Sequence, residues 1–327
     1  MTDHPGGTPL AAAPPRRRGS VRRTTTHDSN RPEGLDGPVA HVATGRDLLT
    51  DAAGIAVALD QARLIATVDY NRAAIVEMVA EPADPALDGL AGRSAYSGFR
   101  KSVEELLPGE LDGHGIRAQL FDDFPAAVMG NGRALRAEGL RIGIARKQPT
   151  LPVGLCAGWA DGGTLVSGYS DLGPPLHIGP QSPATDAGAD PVAWHVLAPL
   201  GPHGTRRARR MDIWQEAGGG RADCFFRDSH VDRAGVETVI HEWRLLVAFD
   251  LHERRFTAVE AAAGPLPYPE CPASGGSAAR LVGMPLLGLR RAVRRTFVGT
   301  STCTHLNDTF GAMEDLGALL DQLAVSA

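Results

Sequence analysis

DCFFRDSHVDRAGVETVIHEWRLLVAFDLHERRFTAVEAA, residues 223–262, decides the fold class. Residues 223–231 and 236–249 are rich in aromatic and β-branched side chains. They flank Asp232-Arg233-Ala234-Gly235, a four-residue turn with glycine in its last place. Residues 255–262 follow the polar stretch Asp250 to Arg254, so the segment reads as a three-stranded antiparallel meander. If 231 pairs with 236, then 230 faces 237 and 226 faces 241. His230 and His241 then share a face but stand four residues apart, roughly 13 Å at the usual rise, too far for one ion to take both.

Helical patterns come after these strands. Leu286, Leu289, Val293 and Phe297 recur at three- and four-residue steps, and so do Leu306, Phe310, Met313, Leu316, Leu319, Leu320 and Leu323. Asp308, Glu314 and Asp315 load the early turns of the last helix, as its dipole favours. Runs of strands followed by runs of helices predict an α+β fold rather than a doubly wound sheet.

Further out, the pattern recurs. Arg22-Arg23-x4-Asp28 returns as Arg206-Arg207-x4-Asp212, Val57-Ala58-Leu59-Asp60 as Val247-Ala248-Phe249-Asp250, and Gly98-Phe99-Arg100-x2-Val103 as Gly288-Leu289-Arg290-x2-Val293. A repeat this long reads as an internal duplication: two tandem copies of a small antiparallel sheet followed by helices. The first copy, 21–170, offers a hairpin of 54–59 and 63–69 around Asp60-Gln61-Ala62 and a short helix on Phe99, Val103, Leu106 and Leu107. The second copy is 192–327. Residues 171–191, rich in Pro, Gly and Asp, read as the linker, and residues 1–20 as a disordered tail.

At 327 residues, with 43% hydrophobic and 22% charged residues, the chain has the composition of a soluble globular protein. The net charge of −5 and arginine clusters without interleaved aromatics argue against nucleic acid. No apolar run is long enough for a bilayer span, and no apolar stretch follows Arg16 to Arg18 as a signal peptide requires. Four scattered cysteines do not make a disulfide scaffold, so a cytoplasmic location is expected. The glycine-rich pieces lack the strand–helix context of a phosphate loop, so no nucleotide cofactor is expected.

Chemistry concentrates at Cys303-Thr304-His305. Thr302 or Thr304 is a plausible N-cap for the final helix, which would set Cys303 where free N–H groups favour the thiolate. Cysteine and histidine two residues apart make either a metal-binding pair for zinc or iron, or a nucleophile–base pair. The expected metal set is Cys303, His305 and Cys271, with either His230 or His241. The expected catalytic set is Cys303, His305, Asp308 and Asp228, with Arg227 neutralising an anionic small-molecule substrate. Cys156 and Cys224 read as core. Each residue also has a structural reading: Cys303 as a small buried hydrophobe, His305 as a helix cap, Asp308 as a dipole residue, Arg227 and Asp228 as an ion pair. In place of Thr304 to Asp308 the first copy has Gln119-Leu120-Phe121-Asp122-Asp123, without cysteine or histidine, so it reads as a supporting half. Three functions stay open: a hydrolase-, lyase- or isomerase-type enzyme, a non-catalytic metal or iron–sulfur carrier, and a structural protein. The oligomeric state is not encoded legibly.

The run from Arg227-Asp228-Ser229-His230 through His241-Glu242-Trp243, Pro269-Glu270-Cys271-Pro272 and Leu281-Val282-Gly283 to Cys303-Thr304-His305-Leu306-Asn307-Asp308 resembles a bacterial family, domain of unknown function 2889. The resemblance is close over roughly 205–320 and looser over 20–130, and implies a Cys/His-bearing α+β domain without an established activity. The C-terminal half is also remotely similar to iron–sulfur scaffold proteins, with Cys271, Cys303 and His305 in ligand places and Cys224 standing in for a third cysteine.

Overall fold

The computed structural model describes residues 5–10, 12–140, 151–186, 188 and 190–325. Eight antiparallel strands form one sheet: β1 Ser20–Asn30, β2 Val39–Thr50, β3 Ala56–Asp69, β4 Ala74–Glu81, β5 Thr205–Glu216, β6 Gly219–Val231, β7 Glu237–Phe249 and β8 Phe256–Ala263. The order is β4-β3-β2-β1-β5-β6-β7-β8, so β1 and β5 are central neighbours and each half of the chain runs outward from them. The helices are α1 Phe99–Leu106, α2 Ile116–Met129, α3 Gly132–Ala137, α4 Thr164–Ser167, α5 Leu289–Thr296, α6 Thr304–Ala312 and α7 Leu316–Val325. The α+β class read from the sequence is the observed one.

Two of the three recurring motifs occupy matching places, whereas Val57–Asp60 opens β3 and Val247–Phe249 closes β7. Arg22 stands opposite Asp212 and Asp28 opposite Arg206 across the β1–β5 joint. Both pairs close, at 2.5 Å from Arg22 Nε to Asp212 and 2.7 Å from Arg206 Nε to Asp28. Gly98 and Gly288 precede α1 and α5 with φ of 80° and 77°, a left-handed turn that side chains disfavour.

One face of the sheet packs on the helices. Phe226, Trp243, Leu245, Leu306, Phe310 and Leu319 belong to the apolar core of the second half; Leu64, Val68, Phe99, Leu120 and Phe124 belong to that of the first. Bare Gly45 on β2 admits α2 closely, since a methyl there would lie 2.5 Å from Ile116. The opposite face is covered over its centre by residues 5–10, 12–19, 183–186 and 190–198. Leu10, Ala13, Trp194 and Leu197 pack there against Ala208 and Phe225. His195 reaches the hydroxyls of Thr24 and Thr26, both at 2.9 Å. Covered on both sides, β1 is buried along nearly its whole length despite two arginines, a histidine and an aspartate.

Three expectations differ from this arrangement. Residues 54–69 do not turn at Asp60-Gln61-Ala62: β3 runs straight through, absorbing Leu59 as a bulge opposite Asp47 and Leu48. Residues 171–191 do not hold two sheets apart, since β1 and β5 are bonded along their length. The described part of residues 1–20 is fixed by backbone and arginine bonds: Leu10 N–H donates to Glu242 at 2.9 Å, and Arg16 pairs with Asp190 at 2.8 Å. Composition alone could not show that a low-hydrophobicity segment has polar partners waiting on a sheet.

Candidate functional site

His27, Arg207, Asp228 and His241 form one row across β1, β5, β6 and β7, with register pairs His27–Arg207, Arg207–Asp228 and Asp228–His241. The row lies on the helix-covered face. The last pairing depends on a bulge: the register shifts between Asp228 and Ser229, leaving Ile240 unpaired. A regular ladder continued from Val231–Glu237 would put Ile240 opposite Asp228 and turn His241 to the other face.

Helix α6 lowers His305 onto this row. Its ring stacks on His241 with centroids 3.6 Å apart and planes 21° from parallel. His305 Nε2 lies 3.7 Å from Asp228 Oδ2, and Nδ1 lies 4.0 Å from the Cys303 sulfur. Asp228, His241 and His305 each offer one ligand atom, all within 4.8 Å of one another; among the described residues this is the group spaced for a metal ion. The turn leading into α6 is locked by Asn307, which donates to the Phe297 carbonyl at 2.8 Å and accepts from the Thr302 hydroxyl at 2.5 Å. Cys303 itself, extended at φ −125° and ψ 132°, is the N-cap residue.

Arg207 grips Asp228 at both oxygens, 2.9 and 3.0 Å, and approaches Asp308 at 3.4 Å. Beside it Arg209 grips Asp123 at 2.6 and 2.8 Å. Both guanidinium groups lie over the Phe226 ring, whose centroid is 6.1 Å from that of His305. Burial pushes the Asp123 carboxyl up, but Arg209 and Arg207 outweigh it and hold it at about 2. Burial, followed by repulsion from His305 and Arg207, holds His241 well below the ordinary imidazole value. Burial also lowers His305, against the pull of Asp228. Both rings are therefore neutral at neutral pH, with lone pairs free for a cation or a proton.

A cavity of about 450 Å³ opens between α2, α5 and α6, walled by Asp122, Asp123, Arg290, Arg294, Thr304 and Asp308. It neighbours the row through Asp308 and Asp123, which contact Arg207 at 3.4 and 3.7 Å. His305 keeps about a quarter of its side chain in contact with solvent.

Of the expected residues, the fold brings together Cys303, His305, Asp228, Asp308 and His241. Cys271 is buried near Cys303, without joining the group spaced for a metal. His230 sits two places beyond Asp228 on β6, buried, with Arg133, His203, Asp232 and Arg136 near it, and is held at about 3 mainly by burial. Arg227 is the clear misplacement. Alternation along β6 sends it to the other face, where it binds Glu242 at 2.6 Å and the carbonyls of Leu10 and Pro183, both at 2.7 Å. It forms no pair with Asp228. The expected thiolate is also reversed. Burial pushes Cys303 up to about 12, although nearby backbone N–H groups of Leu306 and His305 pull the other way. Cys271 is likewise raised to about 12, by burial and then by Cys303.

Residues 205–318 match the family described as Protein of unknown function (DUF2889). The match takes in β5 to β8, α5, α6 and the first residues of α7, hence every member of the row except His27. No curated protein and no solved structure matches the chain. The likeness to iron–sulfur scaffold proteins gains no support. Among the described residues no helix is long and apolar enough to cross a membrane.

Sequence reasoning singled out Arg207 only as part of a repeat, and passed over His27, Asp123 and Arg209. The Arg-x4-Asp motif held the clue, since an arginine repeated at a fixed place in two strands has a fixed partner.

Proposed function

We propose that the chain is a metal-dependent enzyme acting on a small polar molecule, with Asp228, His241 and His305 as ligands for zinc or iron. One observation carries the reading: a carboxylate and two neutral imidazoles meet within 4.8 Å beside a cavity of substrate size. Two histidines and one carboxylate, with positions left open, suit zinc hydrolysis or non-haem iron. When bound, such a metal supplies Lewis acidity and lowers the pKa of coordinated water.

The protein's own groups do the rest. Arg207 fixes the Asp228 carboxylate in place. Cys303 sulfur faces His305 Nδ1 at 4.0 Å; a proton held on Nδ1 there leaves Nε2 free as a ligand. Asp308, 42% exposed in its side chain and on the cavity wall, is the group able to exchange protons with a substrate. Arg227 is committed to Glu242 on the other face, and the cavity wall carries both acids and arginines, so the substrate class is left as polar.

The test is metal analysis of the full chain purified without chelators, beside Asp228→Asn, His241→Gln and His305→Asn. Stoichiometric metal in the wild type, lost in each variant with the melting curve retained, is the expected result. Wild-type protein that stays metal-free on titration with zinc and ferrous iron sinks the reading. A panel of hydrolysis, elimination and isomerisation substrates then assigns the reaction, with the His305 variant as control.

A further inference from the structure

Three of the chain's four cysteines, from three separate segments, meet under the start of α6. Cys156 lies in the loop before α4, Cys271 opens the 3-10 turns of residues 271–281, and Cys303 caps α6. Ala157 N–H donates to the Thr302 carbonyl at 2.8 Å, stitching the first segment to the third. A methyl built on Gly158 would stand 3.2 Å from the Cys271 sulfur and 4.0 Å from the Cys156 sulfur, so those two sulfurs flank one point. Cys303 is close enough for a charge on Cys156 to be felt at its sulfur, and Cys271 feels both of the others. All three side chains are buried and none is bonded to another. Cys224, the fourth, is on β6 inside the apolar core and takes no part.

A buried thiol by itself packs as a small hydrophobe, but three gathered from three segments also make the donor set that a soft cation takes. We propose that Cys156, Cys271 and Cys303 form a separate binding site for a soft, zinc-like cation, distinct from the Asp228–His241–His305 centre. Bare glycine at 158 leaves room beside the Cys271 sulfur. The sulfurs stand wider than 4.8 Å as a set of three and close on the ion by side-chain rotation. A zinc–sulfur bond of about 2.3 Å requires this closing. Binding one divalent ion to three thiols releases three protons to solvent and leaves a site with one net negative charge. The free N–H groups at the start of α6 face that charge favourably. The site ties the 151–163 loop and the 271–281 turns to the base of the helix that carries His305. It therefore serves to hold that helix in place, and the substrate never reaches it.

Cobalt(II) serves as the probe on the full-length chain. Thiolate-bound cobalt gives intense near-ultraviolet charge-transfer bands, whereas cobalt bound by nitrogen and oxygen gives only weak visible bands. The expected result is charge-transfer bands in the wild type that vanish in Cys156→Ser and in Cys271→Ser. They persist in Asp228→Asn and His241→Gln, which separates this site from the proposed catalytic one. Cadmium should protect the three thiols from labelling in unfolding denaturant. Absence of charge-transfer bands from cobalt-saturated folded wild-type protein overturns the proposal, whatever the variants do. So does their survival in both cysteine variants.

Discussion

Arg207 holds Asp228 at both carboxylate oxygens, across β5 and β6, with neither group free to reorient. Arg23 holds Asp47 in the same way across β1 and β2, at 2.7 Å to each oxygen. In the ladder the next residue outward is His241 in the second half and Asp60 in the first. The same scaffold thus carries a histidine on one side and an acid on the other.

Removing Arg207 leaves Asp228, whose side chain is only 16% exposed, without its paired charge. Arg207→Ala is expected to cost about 3–5 kcal/mol, read from urea unfolding, since breaking a buried pair strands its partner. Arg207→Lys keeps the charge but loses the two-point grip, and should recover part of the stability without restoring metal affinity. Full metal binding by the lysine variant would show that Asp228 needs no orienting.

Acid should destabilise the fold through His27. It bonds His41 at 3.1 Å, its Nε2 has no protein partner, and burial, the largest influence, holds it at about 4. An imidazole lowered in the folded state makes the unfolded chain the better proton acceptor. Its contribution is therefore complete above about 6.5 and falls as pH drops from there to about 4. The full shift corresponds to a loss on the order of 3 kcal/mol. His27→Asn should remove its own share of the slope across that window and leave that of the other buried histidines, such as His41 and His195; an unchanged slope would show that His27 titrates normally.

Cys303 and Cys271, both raised to about 12 and both buried, should ignore thiol reagents in native metal-free protein at neutral pH and react completely once unfolded. Rapid native labelling of Cys303 would restore the activated-nucleophile reading that its burial argues against.

Arg227→Ala should lower the melting temperature without touching metal binding, because Arg227 and Glu242 lie on the face away from the row. The expected cost is again about 3–5 kcal/mol. The paired change Arg227→Met with Glu242→Leu should recover most of it. Loss of metal in the single variant, with the fold intact, would place Arg227 at the site after all.

Much of the second half was legible in its residues. The Asp232–Gly235 turn, the strands beside it and the helical spacing of Leu289 to Phe297 appear where the pattern put them, because each follows from local chemistry. The C-terminal helix forms too, interrupted by a short 3-10 turn at Met313–Asp315. The central strands were harder. Arg22, Arg23, Arg209 and Arg210 look like a solvated surface in a sequence, yet all four are buried against carboxylates, from distant segments for Arg22 and Arg209 and from the neighbouring strand for Arg23 and Arg210. The site was half legible: His305 and His241 were both in view, but their meeting rests on the single unpaired residue at Ile240. A bulge leaves no mark in composition or period, and a one-residue slip reverses a strand's faces. Cys303 failed as a thiolate for a related reason. The helix starts one residue from where the threonines pointed, with Cys303 itself as N-cap, and the depth of its burial comes from segments far along the chain.

The joint between β1 and β5 has one more implication. Arg22 and Asp28 stand three residues either side of Thr25, and Asp212 and Arg206 three either side of its partner Arg209. A strand with arginine and aspartate six places apart satisfies itself twice when laid antiparallel against its own twin. This is the geometry by which identical subunits associate about a two-fold axis. The middle of this sheet therefore has the self-complementary pairing of such a contact, within a single polypeptide.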